Sequence, residues 1–136
     1  MQSPAKLNEK LALQIAVAIG AMLPITAGLM GVIQGPAAFD PGATAGLSLD
    51  SHTRYLSGLL LAIGLAFLST IPAIETEGVR VRLLTAIVVL GGLGRLYGIA
   101  ATGSPPPAPM LGGLAMELII TPALALWRER VQRQLT

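Results

Sequence analysis

The chain has no cysteine and one histidine among its 136 residues. Disulfides, zinc–thiolate centres, iron–sulfur clusters and thiol catalysis are therefore excluded. One chain also cannot assemble a multi-histidine metal site. Charge is scarce: Asp, Glu, Lys and Arg make up 12% of residues, against about 25% in a soluble domain. Aromatics make up 4%, one Trp, two Tyr and two Phe, too few for a base-stacking platform or an aromatic cage. The space is filled by aliphatic residues. Hydrophobic residues are 53% of the chain, and the mean hydropathy is +0.71. The net charge of +2 is small, and the basic residues lie at segment ends. That placement suits membrane topology and not nucleic acid. Nothing in the composition calls for a cofactor or a metal.

Four charge-poor runs stand out. A membrane-crossing helix needs about 20 apolar residues at about 1.5 Å each. Leu11 to Phe39 carries no charge, and the first helix is placed at about 11–34. Pro24 is expected to kink it, and Gly28, Gly31 and Gly35 to permit close packing beyond the kink. Residues 35–52, rich in Pro, Gly and Ala, read as an outer loop, with Asp50 or Ser51 capping the next helix. The second helix is placed at about 53–73, the third at about 82–101 and the fourth at about 110–128. A signal peptide is the rival reading of the first run, but its apolar core is only about 7–15 residues long. The expected fold is an all-α, integral membrane bundle of four transmembrane helices, one domain over 1–136.

Basic residues give the orientation. Lys6, Lys10, Arg80, Arg82, Arg128, Arg130 and Arg133 fall on one side, seven of the nine in the chain. Arg54 alone falls on the other. The positive-inside rule puts both termini in the cytoplasm, and Trp127 sits where an interfacial anchor belongs.

Two charges interrupt the spans. Arg95 and Glu117 lie inside the third and fourth runs, where a charge needs a partner or a task. Arg95 is 13 residues after Arg82, which puts it about 20 Å into a core about 30 Å thick. Glu117 is seven residues after Met110, about 10 Å below the opposite, outer surface. The two depths match on antiparallel neighbours, so an intramembrane ion pair is expected. Gly91, Arg95 and Gly98 share one helix face, and Gly94 with Gly98 makes a GxxxG pair. Gly113, Glu117 and Thr121 form a second small-polar stripe. These glycines are expected to pack helices. The pair then either locks two helices or floors a polar pocket.

The start of the second helix adds His52, Arg54 and Tyr55 at the outer end, where Tyr97 also falls. With Arg95 and Glu117 they make a candidate outer-face pocket whose arginines suit a phosphate or carboxylate. The plain alternative is interfacial decoration, since Arg, Tyr and His favour the headgroup zone. GGLGRLYG, residues 91–98, lacks the G-x-G-x-x-G spacing and follows no strand, so it is not a dinucleotide loop. No Ser–His–acid set has catalytic spacing, and the catalytic residues, if any exist, are not identifiable.

Three segments carry a resemblance: HTRYLSGLLLAIGL (52–65), VVLGGLGRLYG (88–98) and LAMELIITP (114–122). They are similar to a bacterial family of short four-helix membrane proteins of unknown function. The paired Arg and Glu on helices three and four fit its pattern, as do His52 and Arg54. The resemblance covers most of the chain after about Leu49. It implies a multi-pass protein of the bacterial cytoplasmic membrane and supplies no activity. The reading that follows is a small non-enzymatic accessory or scaffold subunit, in contact with lipid and with a protein partner in a membrane complex or a homo-oligomer. Two alternatives stand beside it: a lipid or amphipathic-anion binding or transport module, and an integral-membrane enzyme on a lipid-like substrate.

Overall fold

A computed structural model describes residues 4–42 and 44–135. Every regular element among the described residues is helical. α1 spans Pro4–Gln34 and continues into a 3₁₀ turn at Gly35–Ala38. α2 spans Leu47–Thr70, with a 3₁₀ turn at Ile71–Ala73. α3 spans Gly78–Thr102. α4, Ala108–Ala115, runs through a π-helical turn at Met116–Ile120 into α5, Thr121–Leu135. Four continuous helices are thus long and apolar enough to cross a membrane: Pro4–Ala38, Leu47–Ala73, Gly78–Thr102 and Ala108–Leu135. The shortest has 25 residues, about 37 Å of helix against a core of about 30 Å.

The helices overrun their charge-free stretches. α1 begins at Pro4 and not near residue 11; α5 continues to Leu135 and not to 128. Apolar runs mark only what hydrocarbon tolerates, whereas backbone hydrogen bonding carries on through polar ends. The expected loop over 35–52 shrinks for the same reason, because α2 already starts at Leu47. Asp50 and Ser51 are therefore inside the helix and cap nothing. Asp50 donates its backbone N–H to the Gly46 carbonyl at 3.1 Å.

Two compact units are distinguished. One is Ala21–Ser69; the other joins Met1–Gly20 to Thr70–Thr136. Each division lies within a turn of a proline. Pro24 has no N–H for the Gly20 carbonyl, and Pro72 none for that of Leu68, so both helical ladders are interrupted there.

In the Ala21–Ser69 unit, α1 packs on α2 through glycine. A Cβ on Gly28 would stand 2.5 Å from the Leu61 nitrogen and 2.7 Å from the Ser57 carbonyl. Gly31 faces the Ser57 side chain, and Gly64 faces Ile25. In the other unit, α3 packs along α4, the π turn and α5. Its dry centre holds Leu13, Ile74, Val81 and Val131, all at most 6% exposed. The outer surface is the apolar one: Ile19 and Leu126 are 69% exposed and Leu90 68%. Such a surface is stable only against lipid or another protein.

Candidate functional site

Glu117 sits in the π turn, and the sequence explains the turn. Pro122 follows directly. In a regular α-helix its ring would press on the Leu118 carbonyl, and it has no N–H to donate there. Widening the helix by one residue relieves both problems. The Met116 carbonyl instead accepts the Thr121 backbone N–H, five residues on. It also accepts the Thr121 hydroxyl at 2.8 Å.

The π turn presents Glu117 to α3, where Arg95 meets it. Arg95 Nη2 donates to Oε1 at 3.0 Å and Nε donates to Oε2 at 3.2 Å. This is the two-point fork that matches a guanidinium to a carboxylate. The side chains are 35% and 18% exposed. Arg95 Nη1 has no hydrogen-bond acceptor among the described residues.

The glycine that admits this contact is Gly92. A Cβ there would stand 2.8 Å from Leu118 Cδ2 and 2.9 Å from Glu117 Cβ. Around Gly91, Gly94, Gly98 and Gly113 an added Cβ meets nothing within 4 Å among the described residues. One residue of helix is 100° of rotation, enough to move the packing position from Gly91 to Gly92. The π turn likewise adds a residue between Glu117 and Thr121 and breaks the stripe expected from Gly113.

The Arg54 side chain lies at the end of α1. Its Nη1 donates to the Val32 and Ile33 carbonyls at 2.7 and 2.9 Å. Its Nε and Nη2 donate to Asp50 at 2.8 and 3.0 Å. The guanidinium thus closes the C-terminal end of α1, whose last carbonyls have no helical partner. Gly35, at φ +62°, turns the chain there, and a Cβ on it would collide with Asp50 and Arg54. Every nitrogen of Arg54 is thus engaged within the chain. His52 and Tyr55 lie with ring centroids 6.4 Å apart. They line an open groove with Leu47, Ser48 and Ser51. Tyr97 is 76% exposed on α3.

The sequence marks Arg128 only as a topology charge, yet it is 2% exposed. It donates from Nε to the Ile74 carbonyl at 2.8 Å and from Nη2 to the Glu75 carbonyl at 2.5 Å. Its Nη1 bonds Gln132 Oε1 at 2.7 Å. Arg128 therefore does for the chain after α2 what Arg54 does for the end of α1. In each case a glycine distant in sequence, Gly35 and Gly78, lies against the guanidinium where a Cβ would crowd it. Around Arg128 run further ties: Lys10–Glu75 at 2.7 Å, Arg130–Glu9 at 3.1 Å and Trp127 Nε1 to Glu9 at 3.2 Å. Burial pushes the Glu75 carboxyl upward. The Lys10 hydrogen bond, its own backbone N–H and the charges of Lys10 and Arg128 outweigh that and hold it below the ordinary glutamate value.

Four helices long and apolar enough to cross a membrane make this a multi-pass membrane protein. Residues 12–128 match the family described as a domain of unknown function (DUF4345), and the chain belongs to that family. No curated protein and no solved structure matches it.

Proposed function

We propose that this chain is a non-enzymatic accessory or scaffold subunit of a larger complex in the bacterial inner membrane. One observation carries the reading: the open glycine positions of α3. Each glycine inside a helix costs about 0.5–1 kcal/mol relative to alanine. Gly91, Gly94 and Gly98 bring this cost, yet nothing among the described residues uses the space above them. A transmembrane helix from another subunit would use it, because small residues let two backbones approach where no hydrophobic drive exists between helices. The polar groups do not argue for catalysis. Arg54, Arg128, Glu9 and Glu75 are all engaged in helix-end contacts. The basic residues favour both termini in the cytoplasm.

Purification from native membranes in mild detergent tests this. Co-migration with a second protein is expected, and it should be lost in Gly94→Leu while the helical spectrum and melting point stay put. A lone monomer from native membranes, with Gly94→Leu indistinguishable from the parent, overturns the proposal.

A further inference from the structure

We propose that Arg82, Arg130 and Arg133 form a binding surface for an anionic phospholipid of the surrounding leaflet. Its phosphate lies on the guanidinium groups and its tails on the aliphatic side chains below them. The proposal goes beyond the scaffold reading and does not rest on it.

Charge placement carries it. The side of the spans that holds Lys6 and Arg133 has seven basic residues against four acids, Glu9, Glu75, Glu77 and Glu129. In the outermost pairs the acid is the recessed partner. In Arg130–Glu9, at 3.1 Å, the arginine side chain is 71% exposed and the glutamate 23%. In Arg82–Glu129, at 3.4 Å, the values are 59% and 33%. Each carboxylate meets its arginine from the protein side, and the guanidinium faces out. Arg133 is exposed as well and has no ion pair among the described residues. Exposed pairs stabilise little, so they leave these arginines able to take a second anion.

The surroundings select a lipid. Leu126, Arg130 and Arg133 fall within about 60° of one another around α5, and Leu126 is 69% exposed. Arg130 stands four residues beyond Leu126, about 6 Å along the axis. Arg82 repeats the pattern on α3, next to Leu83, which is 60% exposed. The Arg82–Glu129 pair brings Arg82 to the turn that carries Arg130, since Glu129 directly precedes it. A ligand that fits both halves is anionic at one end and apolar at the other, with its charge at the edge of the apolar span. Anionic headgroups are attracted to basic residues in that position, and a guanidinium matches a phosphate with two hydrogen bonds. A soluble anion would use only the polar half.

Trp127 is the single tryptophan. It is half-buried and close to one helical turn from Arg130, so it reports on lipid at this surface. The full chain is reconstituted in equimolar phosphatidylglycerol and phosphatidylcholine, with bromine on the tails of one lipid or of the other. Bromine quenches tryptophan on contact, and the ratio of the two quenching constants gives the lipid preference. Phosphatidylglycerol should be preferred roughly three- to tenfold, the scale set by one unopposed arginine at a charged surface. Arg82→Gln, Arg130→Gln and Arg133→Gln together should abolish the preference. Arg82→Lys, Arg130→Lys and Arg133→Lys together should keep it, and its loss there too would overturn the assignment to charge. The ratio is taken within one protein, so a shift of Trp127 in a variant acts on both lipids alike. Equal quenching in the parent overturns the proposal, as does a preference that persists in the triple Gln variant. A preference removed by sodium phosphate but not by sodium chloride of equal ionic strength overturns it in favour of a soluble phosphate. No second protein enters the measurement, so the scaffold reading stands or falls separately.

Discussion

Arg128 fills the space that a side chain on Gly78 would need. The glycine and the arginine are therefore one fitted unit, and each should fail without the other. Arg128→Met leaves the Ile74 and Glu75 carbonyls without their donors, at about 1–3 kcal/mol for each buried group left unpaired. Gly78→Ala should cost about 1–3 kcal/mol by overpacking against the guanidinium. Combining the two should cost less than their sum, because the alanine no longer meets an arginine. Unfolding in detergent, followed by circular dichroism, measures all three. Strict additivity would show that the fit is not energetic.

The Arg95–Glu117 fork makes a different prediction. Replacing one partner leaves the other charged and unpaired, so Arg95→Gln and Glu117→Gln should each destabilise. The double replacement removes both charges and should recover part of the loss. A coupling of about 0.5–3 kcal/mol is the range for contacting groups. Coupling near zero would mean that solvent or lipid, and not the partner, satisfies each charge.

The π turn should control that coupling. Pro122→Ala restores the missing N–H and removes the ring, so the helix is free to close into regular α form. Closure deletes one residue of winding and rotates Glu117 by about 100° relative to α5. On a Pro122→Ala background the Arg95–Glu117 coupling should fall toward zero, although the helix itself gains stability. Thr121→Val, which removes only the hydroxyl bond to Met116, should act in the same direction more weakly. An unchanged coupling in Pro122→Ala would assign the turn to packing at Gly92 instead.

Gly92 and Gly94 offer a direct contrast on one helix. Gly92→Ala meets Leu118 and Glu117 and should lower stability by about 1–3 kcal/mol, the usual cost of overpacking. Gly94→Ala meets nothing within 4 Å and should leave the isolated chain unchanged or raise its stability by up to about 1 kcal/mol. Melting curves of the two purified variants decide this. A loss in Gly94→Ala comparable to that in Gly92→Ala would place a neighbour over Gly94.

What the sequence made legible follows from how each signal is encoded. The charge-free runs mark four long helices because hydrocarbon tolerates so few charges, but helix ends lie in polar sequence that hydropathy does not see. The matching depth of Arg95 and Glu117 came from counting residues along antiparallel neighbours, and the side chains do meet. Rotation about the helix axis was not legible: a count along the axis cannot tell Gly91 from Gly92. The π turn was signalled by Thr121-Pro122 after Glu117, a proline whose lost N–H the helix has to accommodate. Arg54 and Arg128 were hidden by their positions near span ends, where a basic residue has a ready explanation as a topology charge. Only the tertiary structure shows their guanidinium groups turned onto carbonyls of another segment.

Glu75 gives the pH dependence. It lies outside the apolar spans, between α2 and α3; burial pushes its carboxyl up, but the Lys10 hydrogen bond, its own backbone N–H and the Lys10 and Arg128 charges outweigh that and hold its folded pKa below the ordinary glutamate value. A carboxyl lowered on folding binds fewer protons in the folded state than in the unfolded one. Its contribution is therefore complete above the unfolded value of about 4.3. It is lost as pH falls through the lower folded value. Glu75→Gln should flatten that acid limb of the stability curve and match the parent only at the lowest pH. Lys10→Met removes the 2.7 Å ion pair while keeping the carboxyl, so burial then works unopposed by that bond and the limb should shift to higher pH. Melting points between about pH 7 and 3, taken as differences from the parent, isolate Glu75 from the other carboxylates. Superimposable acid limbs in the parent and Glu75→Gln would show that the Lys10 bond does not stabilise the charged form.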